Sequence, residues 1–183
     1  SNQAGRSNIL SRLERYGVKI DPKDPKIQKI LDEVKDREFS GYSYDGADAS
    51  FELLAKRLLG KVPEYLKVES YNVTVSKSEN IATKANVTFL IDGKKIECTG
   101  EGNGPVNALD NAIRSNFKKV EKYYNFFSDL KLLDYKVRIL NTGTEATTRV
   151  LIESTDKTGV SWFTVGVSPN IIEASFKALI DSL

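Results

Sequence analysis

Residues 99–112 read TGEGNGPVNALDNA, with three glycines and a proline inside six positions and a helical pattern directly after them. A bare corner of this kind ahead of a helix is suited to holding an anion. The first-turn N–H groups have no partner within the helix, and the helix dipole places positive charge at that end. Three anions are candidates: a phosphate, the backbone of duplex RNA, and the carboxylate of a free amino acid. A Walker-type phosphate loop needs a lysine and a Ser/Thr after its glycines, whereas Pro105 and Val106 follow here. A dinucleotide loop follows a parallel strand in a βαβ unit, and this corner follows an antiparallel hairpin. Duplex RNA is favoured by element order, because helix 47–60, three strands and a second helix mimic the α-βββ-α order of double-stranded RNA-binding domains. Those domains grip phosphates with lysines at the start of the second helix. Here the first turn is Pro105, Val106, Asn107 and Ala108, then Asp110, and no basic residue comes before Arg114. The electrostatics therefore refuse what the topology suggests.

An amino acid fits the corner better. Pro105 at the first helical position leaves the N–H groups of the next residues directed at whatever occupies the corner, an arrangement worth about 0.3–2 kcal/mol for a carboxylate. Asn103 and Asn107 can serve an ammonium group. The competing account, that Gly102–Gly104 only tighten a strand-to-helix turn, is equally compatible with the spacing.

Composition narrows the functions further. The chain has no histidine, which removes the usual Ser/His and Cys/His pairs, the imidazole proton shuttle and any His-based metal site. No EF-hand spacing or tight Asp/Glu cluster replaces it. Catalysis, a cofactor and a metal are therefore not expected of this stretch by itself. A net charge of +2 is too balanced for a protein dedicated to nucleic acid or anionic lipid. No apolar run approaches the roughly 20 residues of a membrane span. The single cysteine, Cys98, forbids an internal disulfide and suits a reducing cytoplasm. Ser1–Asn2, in place of an initiating Met, reads as the scar of a cleaved tag, so a fragment of a longer protein is expected.

The elements that must hold the corner follow from periodicity. Residues 7–16 place Ile9, Leu13 and Tyr16 on one helical face, with Gly17 as the stop. Residues 19–38 carry six positive and six negative side chains around a narrow stripe of Ile27, Ile30, Leu31 and Val34. They read as a solvated helix leaning on another surface. Residues 45–59 form a further helix, with Asp45 as N-cap and Ala47, Phe51, Leu54 and Leu58 on one face. From Leu66 the period becomes two. Val73 and Val75 close one strand, Ala85, Val87, Phe89 and Ile91 alternate in a second, and Asp92-Gly93 turns into a third over 94–99. The helix after the corner turns Val106, Leu109, Ile113, Phe117 and Val120 inward.

The pattern then repeats. Residues 132–140 form a strand with Tyr135, Val137 and Ile139 on one face, and 148–154 and 160–167 form a hairpin. Gly166–Pro169 then turns into a helix carrying Ile172, Phe176, Leu179 and Leu183. Setting Gly100 on Gly166 superposes Ala108 on Ala174, Ala112 on Ala178 and Ile113 on Leu179. The expected fold is α+β: a tandem βββα repeat over 63–183 whose two sheets and helices share a core, preceded by a helical linker subdomain over 1–62.

The stretch from Gly100 to Ile113 resembles the corner-and-helix motif of the C-terminal regulatory domain of 2-isopropylmalate and citramalate synthases. So does the second repeat, from LLDYKVRIL through TRVLIES to TVGVSPNIIEASFKALIDSL. Upstream, GYSYDGADASFELL (41–54) and QAGRSNIL (3–10) resemble the linker helices of those enzymes. Isopropylmalate synthases usually carry GRHA where this chain has Gly5-Arg6-Ser7-Asn8, and the GRSNIL wording is similar to the citramalate branch. The resemblance implies a parent acyltransferase whose metal-dependent TIM barrel, absent from this stretch, condenses acetyl-CoA with pyruvate on the route to isoleucine. The divalent metal belongs to that barrel. It also implies a homodimer that binds the end-product branched-chain amino acid at or near its interface, isoleucine on the citramalate branch and leucine on the other. Carried over by position, Asn103, Gly104, Pro105, Val106 and Asn107 would hold the head group. Leu132, Tyr135 and Ile139 would line the side-chain pocket, joined by Ala146 and Thr148 on the following loop and strand. Pro169 and Ile171, the matching corner of the second repeat, would close it.

Overall fold

The computed structural model describes residues 2–60, 66–117, 129–142 and 145–183. Val120 and the 62/63 boundary lie outside them. Three helices lead: α1 (Asn2–Arg15), α2 (Lys26–Phe39) and α3 (Asp48–Leu58). The first repeat follows as β1 (Leu66–Lys77), β2 (Ile81–Ile91), β3 (Lys94–Gly102) and α4 (Pro105–Phe117). The second is β4 (Lys131–Thr142), β5 (Glu145–Thr155), β6 (Ser161–Ser168) and α5 (Ile171–Ser182). Each repeat is a three-stranded antiparallel sheet in sequence order followed by its helix, as expected for a tandem βββα fold.

The leading helices begin and end where local chemistry dictates. α1 stops at Gly17, whose φ of +72° lets the Gly17 and Val18 N–H groups bond back to Glu14 and Leu13. The helix expected from residue 19 starts only at Lys26. Asp21 and Asp24 take the N–H groups of Lys23 and Lys26 into short side-chain turns, and two prolines stand in the same stretch. Asp45 does not cap α3, which enters through Ala47 and starts at Asp48. Asp48 instead pairs with Arg12 (3.1 Å), whose buried guanidinium also donates to the Tyr44 carbonyl and lies over the Phe51 ring. α2 leans on its own chain, since Ile27, Ile30, Leu31 and Val34 join Ile9, Leu13, Phe51 and Leu54 in one core.

Two cores result. The first lies between both sheets and the repeat helices, and includes Ala85, Val87, Phe89, Val150, Ile152, Leu109, Ile113 and Leu179. The second lies among the leading helices and takes in Val165 and Val167 from the outer face of β6. β6 is therefore covered on both sides, by α5 within its repeat and by α3 outside it.

Internal symmetry extends to the backbone. Both first strands carry a register shift at the matching place, between Val68 and Ser70 and between Leu132 and Asp134. Asp92 and Gly93 both have positive φ, the signature of the two-residue hairpin turn. The third strand crosses its helix so closely that a Cβ on Gly100 would stand 2.3 Å from the Ala112 nitrogen, and one on Gly166 would stand 2.0 Å from the Ala174 oxygen. Ala108, Ala112, Ala174 and Ala178 are all fully buried at these crossings.

Gly166→Ala should therefore destabilise the fold by about 1–3 kcal/mol or more, because the clash is with backbone. Gly104→Ala, whose Cβ would meet nothing within 4 Å, should stay within about 0.5 kcal/mol of the parent. Thermal melts of the two variants check the contrast, and equal losses would contradict the close-crossing account.

Candidate effector site

The first corner is built by β3 running into α4. Gly102 has the same close-approach requirement as Gly100, since a Cβ there would stand 2.3 Å from Asn107 Oδ1 and 2.6 Å from the Ala108 nitrogen. Two of the three glycines thus serve chain packing. Gly104 does not: its surroundings are open and its φ is not in the left-handed region. It stands at the N-cap, its carbonyl accepting the first helical bond from Ala108 N–H (2.9 Å). Asn107 Oδ1 accepts from Asn103 N–H (3.2 Å), so this carboxamide is partly committed to holding the corner's shape. Val106 turns its side chain into the core, leaving only its backbone to face a ligand.

The second corner supplies the comparison. By the 66-residue offset, Asn170 stands where Gly104 stands, and its carbonyl accepts the matching first bond from Ala174 N–H (3.0 Å). Asn170 Oδ1 then accepts from the N–H groups of Ile172 (2.8 Å) and Glu173 (3.2 Å). The equivalents in α4 are the N–H groups of Val106 and Asn107, which no side chain among the described residues caps. The second corner closes itself with a carbonyl oxygen, and in the first that position is taken by no side chain among the described residues. Pro169 and Ile171 stand exposed on either side of Asn170.

The wall residues share a face. In the antiparallel register Tyr135 lies opposite Ile152, Val137 opposite Val150, Ile139 opposite Thr148 and Leu132 opposite Ser154. Their partners are buried, so these side chains belong to the core-facing side of the sheet. Ala146, expected on a loop, is on β5, exposed, and two residues from the buried Thr148 on that same side. Leu132 packs against the core. Tyr135, Val137 and Ile139 do not: they are 47%, 41% and 69% exposed, because β4 is an edge strand and, among the described residues, α5 packs on β6 and β5 rather than on it. The corresponding tyrosine of the first repeat, Tyr71, is stacked on Phe176 of α5 at 4.2 Å, and burial there pushes its hydroxyl pKa up. Asp110 occupies the α4 position matching Phe176, and it is engaged by Arg114. Tyr135 therefore has no equivalent ring stacked on it among the described residues.

The structure thus brings Leu132, Tyr135, Ile139, Ala146 and Thr148 onto one sheet face, with Val137 completing the row. Neither corner nor wall residues line the cavity beside Arg37 and Asp181 or the one beside Leu10 and Val18. Val137 and the Asn170 cap were missed as site features. Both were legible, the first in the strand's alternation and the second in the offset that aligns Gly104 with Asn170. The Asp110–Arg114 pair removes the first basic group an RNA backbone would meet on α4. Among the described residues no three His, Cys, Asp or Glu side chains group as metal ligands, and no helix is long and apolar enough to cross a membrane.

The site thus consists of a tandem βββα unit with one corner uncapped among the described residues and one exposed apolar row on an edge strand. Residues 45–183 match the model of the LeuA allosteric (dimerisation) domain, and the chain belongs to that family. An (R)-citramalate synthase of Geobacter sulfurreducens is 46% identical over 188 residues, covering all of this chain and 35% of that protein. One from Aquifex aeolicus is 44% identical over the same length and coverage. A 2-isopropylmalate synthase of Aquifex aeolicus is more distant, 30% identical over 183 residues, covering 98% of this chain and 32% of that protein. The chain spans about a third of the length of these relatives. The matched region includes α3, in keeping with the shared core between that helix and β6.

Gly104→Asn should let the first corner cap itself as Asn170 caps the second. The expected result is a ligand-free stability equal to or a few tenths of a kcal/mol above the parent. Affinity for a branched-chain amino acid should fall tenfold or more by calorimetric titration. Unchanged affinity in the folded variant would assign the corner to chain packing alone.

Proposed function

We propose that this chain is the feedback-sensing module of a citramalate synthase-like acyltransferase, binding isoleucine at the interface of a homodimer. The observation that carries the reading is the difference between the corners: α5 satisfies its first-turn N–H groups with Asn170, whereas no side chain among the described residues takes the equivalent groups of α4, which suits an incoming carboxylate. In this reading the ligand's carboxylate takes the place that Asn170 Oδ1 holds in the second corner. Asn103 and the outer face of Asn107 meet its ammonium group, and the branched side chain lies on Tyr135, Val137 and Ile139.

That row also supports the dimer. Three apolar side chains on an edge strand, on the side that continues into the core, are a surface that a second copy can cover. A copy related by a two-fold axis brings its own corner to this face, which joins groups that one chain keeps apart. The family's description as an allosteric (dimerisation) domain agrees with this arrangement.

The relatives named as citramalate synthases support this reading of the parent's activity. In this reading the catalytic barrel lies elsewhere in the polypeptide, condenses acetyl-CoA with pyruvate, and holds the divalent metal. The residues of this chain do not fit that metal, since it has no histidine and no clustered ligands among the described residues. The alternative, a leucine-binding domain of a 2-isopropylmalate synthase, rests on the more distant relative.

The test is thermal stability against ligand. An effector at 100 times its dissociation constant stabilises the native state by about 2.7 kcal/mol, which raises the melting midpoint of a chain this size by roughly 5–10 °C. Isoleucine should do so at lower concentration than valine, because one lost methylene in an apolar pocket costs about 1–3 kcal/mol. A larger shift with leucine at equal concentration would move the chain to the isopropylmalate branch. No shift with any of the three would end the sensor reading.

A further inference from the structure

A second concave site lies away from the corners, where the linker helices meet both repeats. It is a cavity of about 390 Å³, walled by α2, α3, β1, β6 and α5. That volume falls within the range of small-molecule sites. Its charged groups are Arg37, Arg57, Lys177 and Asp181, three cations against one carboxylate. Its apolar wall is Val68, Val165, Phe176 and Ile180.

The charges are not equivalent. Asp181 is tied into the joint between α3 and α5, accepting from Ser50 Oγ (2.9 Å) and pairing with Arg57 at 3.5 Å. Ser50 Oγ in turn accepts from the Val165 N–H of β6 (2.9 Å). Burial holds the Asp181 carboxyl above the ordinary aspartate range, against the pull of Arg57 and Arg37 beside it. Asp181 is therefore a structural acceptor, with little to offer an incoming ammonium.

Arg37 and Lys177 are held differently. Each pairs with a glutamate one turn back on its own helix, Glu33 at 2.8 Å and Glu173 at 3.3 Å, and neither glutamate lines the cavity. Arg37 also lies over the ring of Tyr42, which lines the same cavity, and Lys177 also donates to the Val167 carbonyl (3.2 Å). Both side chains are nonetheless half-exposed and their ion pairs are of the weak surface kind, so a better-placed anion can compete for them. Guanidinium forks match a carboxylate in bidentate geometry. The four apolar residues beside them favour an aliphatic body over a fully hydrated ion.

From this arrangement we propose that the cleft between the linker helices and α5 binds a small organic monocarboxylate with a short aliphatic body, its charge on Arg37 and Lys177 and its carbons chiefly on the half-buried Val68 and Ile180, beside the edges of Val165 and Phe176. The site shares no residue with the corners or the β4 face, and it stands whether or not isoleucine binds there.

The probe is 3-methylbutanoate, titrated into the isotopically labelled chain and followed by amide NMR at residues 37, 57 and 176–181. Saturable shifts at these residues are expected, with a dissociation constant of about a millimolar for a ligand of so few atoms. Affinity should fall severalfold between low and 150 mM salt. The Arg37→Gln/Lys177→Gln double variant, altered only at half-exposed side chains, should bind at least tenfold more weakly. Retained affinity in the folded double variant would overturn the proposal. On the parent chain, equal shifts from 3-methylbutylamine would remove the charge argument, and equal affinity for inorganic phosphate would remove the aliphatic one. Either result, obtained without any variant, would also overturn it.

Discussion

The close crossing of each third strand over its own helix is the constraint on which the rest of the structure depends. At Gly100 and Gly166 a side chain has no room, and buried alanines receive the strand from below. Such a contact sets where the helix must start, because strand and helix are joined by only a few residues. The corner is the geometric consequence of that contact. Its exposed N–H groups are a consequence too: a helix started so abruptly can be capped only by the residue at its N-cap or by something from outside the chain.

The two repeats resolve this demand in opposite ways. Asn170 turns its carboxamide onto the first turn of α5, whereas Gly104 has no side chain to turn. The same divergence recurs on the first strands. Phe176 reaches across from the second repeat to stack on Tyr71, but the matching position in α4 is Asp110, and Tyr135 stays bare. Because the two repeats differ in one cap and one covering ring, the same module carries one uncapped corner and one exposed strand face. Neither difference disturbs the core, since Gly104 and Asp110 lie outside it.

β6 connects this module to the leading helices. Its inner face packs on α5, and its outer face supplies Val165 and Val167 to the core formed by α1, α2 and α3. Ser50 adds a polar joint, satisfying a backbone N–H on the edge of the sheet while donating to Asp181. A shift of β6 or α5 strains that joint, because Ser50 and Val165 are buried, Asp181 is largely so, and interiors of this density do not deform freely. The cleft beside Arg37 and Lys177 opens on the same joint. The leading helices are thus physically continuous with the strand that runs into the second corner.

The sequence by itself determined the order of elements, the tandem repeat and the inward face of the helices and of β2 and β4. Those features are local: alternation, helical spacing, Asp92-Gly93 and the glycine-to-alanine offsets can be read within one segment or between two. It also excluded histidine chemistry outright. Helix starts were less legible near Asp21, Asp24 and Asp45, where the choice between a side-chain turn and a cap depends on neighbours such as Arg12 that are distant in sequence. Only the tertiary structure decided which glycines are structural, separating Gly100 and Gly102 from Gly104, because that depends on what a missing Cβ would strike. Only it decided that Tyr135, Val137 and Ile139 are bare. Their alternation marks an inward face, but burial depends on how far the helix layer reaches across the sheet, and no pattern within the strand carries that length.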